Sequence, residues 1–171
     1  MEKRHAAVPA HVLYLLRHAK AEVLRAGETD DKRRLTDTGR RQAHAVGRWL
    51  GKHGDGIDLA LCSEAVRTRE TLEGLGVDAP ATYLWDLYNA GADRILSELR
   101  TVDEGVRTLL VVGHAPGIPA LASDLIDPAD SDRGAKSAIA HHFPTATIVR
   151  LEFDGSWHDL EKARLTQARV D

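Results

Sequence analysis

Short apolar runs alternate along the chain with longer stretches whose apolar residues return every three or four positions. The first run, HVLYLL over 11–16, is short and stopped by charge, which predicts a buried strand. Residues 1–10 before it read as a flexible leader, and the polar, glycine-containing stretch over 19–34 as a loop. Over 38–53, Ala43, Val46, Trp49 and Leu50 recur at helical spacing. Thr36 or Asp37 is available as the cap, and Gly51 and Gly54 lie near the end. A second apolar run covers 57–62, and Ser63 is placed to cap a helix reaching about residue 74. The segment 82–87 reads as a third strand or extended piece, and 93–99 as a helix. The run TLLVV over 108–112 is continuously apolar and β-branched, which suits a central strand buried on both faces. Gly113 ends it, and Pro116 suits the first turn of a helix reaching about residue 126. Residues 127–142 are polar and irregular, and 145–153 alternates as a last strand before the Asp154-Gly155 turn.

Strand and helix alternate, which predicts a three-layer α/β/α fold with a mostly parallel central sheet flanked by helices. A length of 171 residues suits a single domain over 11–171 and leaves little room for a second. The formal net charge of −3 gives no general attraction to nucleic acid or an anionic membrane, so an anion site must be a local gathering of cations. The single cysteine, Cys62, has no partner for an internal disulfide. The first nine residues hold no apolar signal segment and the apolar runs are too short to span a bilayer. A cytoplasmic protein, monomeric or weakly dimeric, is expected.

In open α/β sheets, sites form beyond the carboxyl ends of the strands. The first predicted strand delivers Arg17-His18 there. The second delivers Ser63 and, one helical turn later, Arg67. The strand over 108–112 delivers Gly113-His114 and then a helix start. Arginine forks match phosphate oxygens and stay charged at any relevant pH. A helix N-terminus adds unpaired N–H groups and a positive dipole end. A neutral imidazole can attack phosphorus to give a covalent phosphohistidine, and a second histidine can donate to the oxygens where charge redistributes. Cations packed around His18 favour its neutral form.

These residues resemble the histidine phosphatase superfamily, also called phosphoglycerate mutase-like. LYLLRHA over 13–19 is similar to its R-H-G segment after the first strand, and Arg33-Arg34-Leu35-Thr36 with Gly39 to R-P-L-T-x-x-G. CSEAVRTRET over 62–71 is similar to S-P-x-x-R-A-x-Q-T, and Val112-Gly113-His114 to the second-histidine segment. Four motifs in order are far more specific than any one. The small size, R-H-A for R-H-G, and Phe143-Pro-Thr-Ala146 resemble the SixA-type phosphohistidine phosphatases within it. The resemblance implies a phosphohistidine on His18 and phosphate binding by Arg17, Arg67 and His114. It also places the proton donor in Leu84-Trp85-Asp86, so Asp86 is the candidate acid; the alternative for Asp86 is a helix cap or a solvated loop charge. Arg33, Ser63 and Ala115 complete the expected substrate contacts, with either Arg33 or Arg34 facing the pocket. Glu64 and Glu70 stand where proline and glutamine are common in the family.

Nine histidines invite a metal, yet His141-His142 are adjacent and lack partners at ligand spacing, so no metal and no cofactor is expected. The expected partner is a phosphorylated substrate, with a phosphohistidine protein among the candidates, and neither nucleic acid nor membrane. The reading that follows is a metal-independent phosphatase. Its alternatives are a phosphoglycerate mutase-type phosphotransferase and a non-catalytic phosphate-binding regulatory module.

Overall fold

The computed structural model of the protein describes residues 8–171. Of the expected leader, 1–7 lie outside the described residues. Six strands form one sheet: β1 (His11–Arg17), β2 (Leu59–Ser63), β3 (Ala81–Leu84), β4 (Thr108–Gly113), β5 (Ile148–Phe153) and β6 (Arg164–Arg169). Their spatial order is β3-β2-β4-β1-β5-β6, with β1, β2, β3 and β4 parallel to one another, β5 antiparallel to β1, and β6 antiparallel to β5. Five helices flank it: α1 (Asp37–His53), α2 (Val66–Leu75), α3 (Ala92–Leu99), α4 (Gly117–Leu125) and α5 (Arg133–Ile139).

The two-residue period of the strands sorts the core into two layers. Leu13, Leu15, Leu109 and Val111 face one way, onto Ile95, Leu99, Ile118 and Leu121 of α3 and α4. Val12, Tyr14, Leu16, Leu110 and Val112 face the other way, onto Ala43, Val46, Leu72 and Leu75 of α1 and α2. The sheet order explains the split. The chain runs outward from β1 through β2 to β3, then returns to insert β4 between β2 and β1. Right-handed crossovers therefore put α1 and α2 on one face and α3 on the other. The mixed, mostly parallel α/β sandwich expected from the alternation is the architecture found.

Several boundaries differ, for local reasons. Ser63 does not cap α2; it is the last residue of β2, and α2 begins after Ala65 without a side-chain cap. Residues 82–87 divide into strand β3 and a single 3₁₀ turn, Trp85–Leu87. The polar stretch over 127–142 hides α5, which buries Ala135 alone and starts where the Asp132 carboxylate accepts from the Ala135 N–H at 2.7 Å. The strand ending at Phe153 is not the last: β6 follows as an edge strand whose Leu165 is buried while its other residues are half-exposed. The register of β5 on β1 sets Tyr14 opposite Arg150, and both reach the Asp55 carboxylate, at 2.9 Å each. Among the described residues no helix is long and apolar enough to cross a membrane.

Candidate active site

The parallel strands end at one edge, and that edge carries the chemistry. Arg17 closes β1, and the His18 amide continues the ladder onto the Gly113 carbonyl of β4 at 2.9 Å. His114 follows β4 directly. Arg67 lies in the first turn of α2, just past β2. Thr71, one turn further, ties these pieces together: its hydroxyl accepts from the Ala19 N–H at 3.0 Å and donates to the Arg67 carbonyl at 2.6 Å. The His18 and His114 rings stand 5.3 Å apart, inclined at 60°.

A cleft of about 350 Å³ opens over these residues, lined by Arg17, His18, Lys20, Ala21, Asp30, Arg33, Arg67, Asn89, His114, Ala115 and Thr145. Four cations and one carboxylate line it, so a chain of net negative charge presents a locally positive hollow. His18 is 7% exposed, and its Nδ1 lies 2.7 Å from the carbonyl of Ala19. A carbonyl only accepts, so Nδ1 carries the proton and Nε2 keeps its lone pair. Burial first, then the Arg67, Arg17 and Arg33 charges, push the His18 pKa down to about 4 against the backbone bond. Burial and the same Arg67 push that of His114 down to about 3. Both rings are therefore neutral at pH 7.

The arginines are held by oxygen acceptors at their tips and left free nearer the chain. Arg17 donates from Nη1 to the Phe143 carbonyl at 2.8 Å, and Arg67 donates to the Asp30 carbonyl and carboxylate at 2.8 and 2.9 Å. The Nε atoms of both, with Nδ1 of His114, are buried and have no protein partner. The two arginine Nε–H groups are donors left unsatisfied on residues lining one cleft, and they are costly unless an anion completes them.

Asp30 had no signal in the sequence. It sits in a 3₁₀ turn, Asp30–Lys32, and its carboxylate gathers Tyr88 Oη at 2.6 Å, Arg33 Nε at 2.8 Å and Arg67. The Tyr88 hydroxyl and the two arginines hold its carboxyl far below the usual carboxylate range. Nothing in the local pattern separates Asp30 from Asp31; only the approach of α2 and Tyr88 does so. Lys20, Asn89 and Thr145 are likewise brought to the cleft by the fold.

The remaining sequence-predicted residues divide. Arg33 lines the cleft, whereas Arg34 turns outward toward Glu70. Glu70 also accepts from the Leu35 N–H at 2.7 Å and so anchors the loop beside the site. Ala115 lines the cleft. Ser63 is fully buried, lies off the cleft, and places its Oγ 2.8 Å from His114 Nε2. Asp86 is 61% exposed in its side chain, pairs with Arg94 and lies off the cleft. Glu64 is exposed. Among the described residues no group of three metal-ligating side chains gathers.

A model of the histidine phosphatase superfamily (branch 1) matches residues 13–87. An uncharacterized protein of Mycobacterium tuberculosis is 40% identical over 146 residues, covering 85% of this chain and 92% of that protein. The phosphohistidine phosphatase SixA homolog of Haemophilus influenzae is 28% identical over 157 residues, covering 84% and 89%. A solved structure of a SixA-type protein from Nakamurella multipartitia superposes with a TM-score of 0.85 at 38% identity, covering 95% of this chain and 98% of the other.

Proposed function

The chain belongs to the histidine phosphatase superfamily and is a phosphatase of that kind, and we propose that it hydrolyses phosphohistidine or phosphomonoesters, without a metal, through a phosphohistidine on His18. The observation that carries this reading is the pairing of a nucleophile with its receptor. His18 Nε2 is left with a lone pair by the bond from Nδ1 to Ala19, and two unpartnered buried arginine donors, with an unpartnered ring nitrogen of His114, belong to the residues around it. In the first step the Nε2 lone pair forms the bond to phosphorus as the bond to the leaving group breaks. In the second, water attacks phospho-His18, the P–Nε2 bond breaks, and phosphate leaves with the neutral ring restored. Arg17, Arg67 and His114 would hold the equatorial oxygens through both steps, and Arg33 would add charge at the rim.

The leaving group is the weak point of ester hydrolysis here. Asp86 points away, paired with Arg94, and Asp30 is held ionised by Tyr88 and two arginines. Neither is poised to give an alkoxide its proton, so the site favours leaving groups that need none from the enzyme, such as a phenolate, or the imidazole of a phosphohistidine that already carries a proton on its other ring nitrogen and leaves as neutral imidazole. The reading includes a phosphorylated substrate in the cytoplasm and a monomeric or weakly dimeric enzyme.

His18→Ala is expected to lower turnover of p-nitrophenyl phosphate by at least about a thousandfold. Labelled phosphate should be trapped on the unmodified chain in an acid-labile, base-stable form, and a chelator should leave activity intact. Undiminished turnover by His18→Ala overturns the proposal. Comparing kcat/KM for a phosphohistidine protein and for small phosphomonoesters separates the two substrate classes.

A further inference from the structure

The two nitrogens of His114 have different fates. The ring is 3% exposed; its Nε2 lies 2.8 Å from Ser63 Oγ, and its Nδ1 is buried with no protein partner. The sheet enforces this arrangement. Strands β2 and β4 are parallel neighbours with Cys62 opposite Val112, so Ser63 comes level with the residue just before His114. Ser63 is itself fully buried and off the cleft, so its hydroxyl faces the ring and not a ligand. The Ser63 oxygen already accepts from the Ala65 N–H at 3.4 Å, and its one proton has His114 Nε2 as the acceptor within reach.

We propose that Ser63 is a positioning residue that holds the His114 proton on Nδ1, so that the second histidine meets the phosphoryl group as a hydrogen-bond donor. A neutral imidazole carries one proton, and burial keeps this ring neutral at pH 7. If Nε2 accepts from Ser63, the proton resides on Nδ1. The opposite tautomer turns a lone pair toward an anionic oxygen and leaves the Ser63 proton without an acceptor, two unfavourable changes in a buried site. Ser63 thus acts on the reaction through His114, as an orienting group does behind any histidine whose tautomer matters.

The inference rests on the phosphatase reading, but its test does not depend on turnover. Two-bond ¹H–¹⁵N correlation on the resting, ¹⁵N-labelled enzyme reports which His114 nitrogen is protonated. Protonated Nδ1 is expected in the unmodified chain. Ser63→Ala should give a mixture of tautomers and lower kcat for p-nitrophenyl phosphate about tenfold or more, and Ser63→Thr, which keeps the hydroxyl, should recover both. A ring protonated on Nε2 in the unmodified enzyme overturns the proposal. So does a Ser63→Ala enzyme that keeps both the Nδ1 tautomer and the kcat. If Ser63→Ala does not fold, the tautomer of the unmodified enzyme still decides. Failure of the phosphatase reading shows separately, in the His18→Ala assay.

Discussion

Asp30 sets a carboxylate inside a hollow built for an anion, and its two effects oppose each other. It aligns Arg67 and Arg33 by charge-assisted bonds, and it repels the ligand they are aligned for. The repulsion is partly screened, because the carboxylate is about a third exposed, whereas the alignment acts directly on the donors. Asp30→Asn is therefore expected to lower kcat about tenfold through misplaced arginines while tightening inhibition by inorganic phosphate. Steady-state kinetics with phosphate as inhibitor checks both halves, and a variant with unchanged kcat removes the alignment role. At this scale the sequence was informative about the strand-end residues and silent about Asp30. Arg17, His18, Arg67 and His114 carry recognisable neighbours in the chain, whereas Asp30 gains its meaning from Tyr88, which is distant in sequence and close in space.

At the scale of elements, the site depends on how closely α4 docks behind His114. A Cβ on Gly117 would lie 1.9 Å from the Ala90 carbonyl oxygen and 3.0 Å from Ile95 Cδ1. The first of these is backbone, so a larger residue must displace the start of α4 or the turn bearing Asn89. Gly117→Ala is expected to destabilise the fold by roughly 1–3 kcal/mol and to lower kcat by moving His114. Chemical denaturation and turnover measured on the same variant test this, and wild-type values for both would remove the packing argument. The elements that sequence periodicity missed, α5 and β6, share one cause. Each buries one side chain fully or nearly so, too few to write a period into the chain, and each is held by neighbours instead.

At the scale of the whole molecule, two buried neutral histidines couple the site to stability. In the unfolded chain a histidine takes its proton near pH 6.5, whereas in the fold His18 resists until about 4 and His114 until about 3. Between those limits the unfolded chain binds more protons than the native one. Their folded pKa values are lowered, so stability is undiminished by these groups above pH 6.5 and falls as the pH drops toward 4. Melting temperatures measured from pH 7 to about pH 4.5 should decline, and His114→Asn should decline less steeply. Equal slopes for the two proteins would show that other groups dominate. The candidate active site is therefore a place where the fold accepts less stability, as sites with buried unpaired donors do.

By itself the sequence determined the alternation of strand and helix, the central strand at 108–112, and the order of the motifs that deliver Arg17, His18, Arg67 and His114 to strand ends. These are local properties: periodicity and short-range spacing are written in consecutive residues. Tertiary structure alone decided that Arg33 and not Arg34 faces the cleft, that Asp86 turns out to Arg94, and that Ser63 stands behind His114 instead of capping α2. The arginines are sorted by Asp30 and Glu70, Asp86 by Arg94, and Ser63 by the insertion of β4 between β1 and β2. That insertion brings Ser63 to His114, 51 positions away, and no window of the sequence records it.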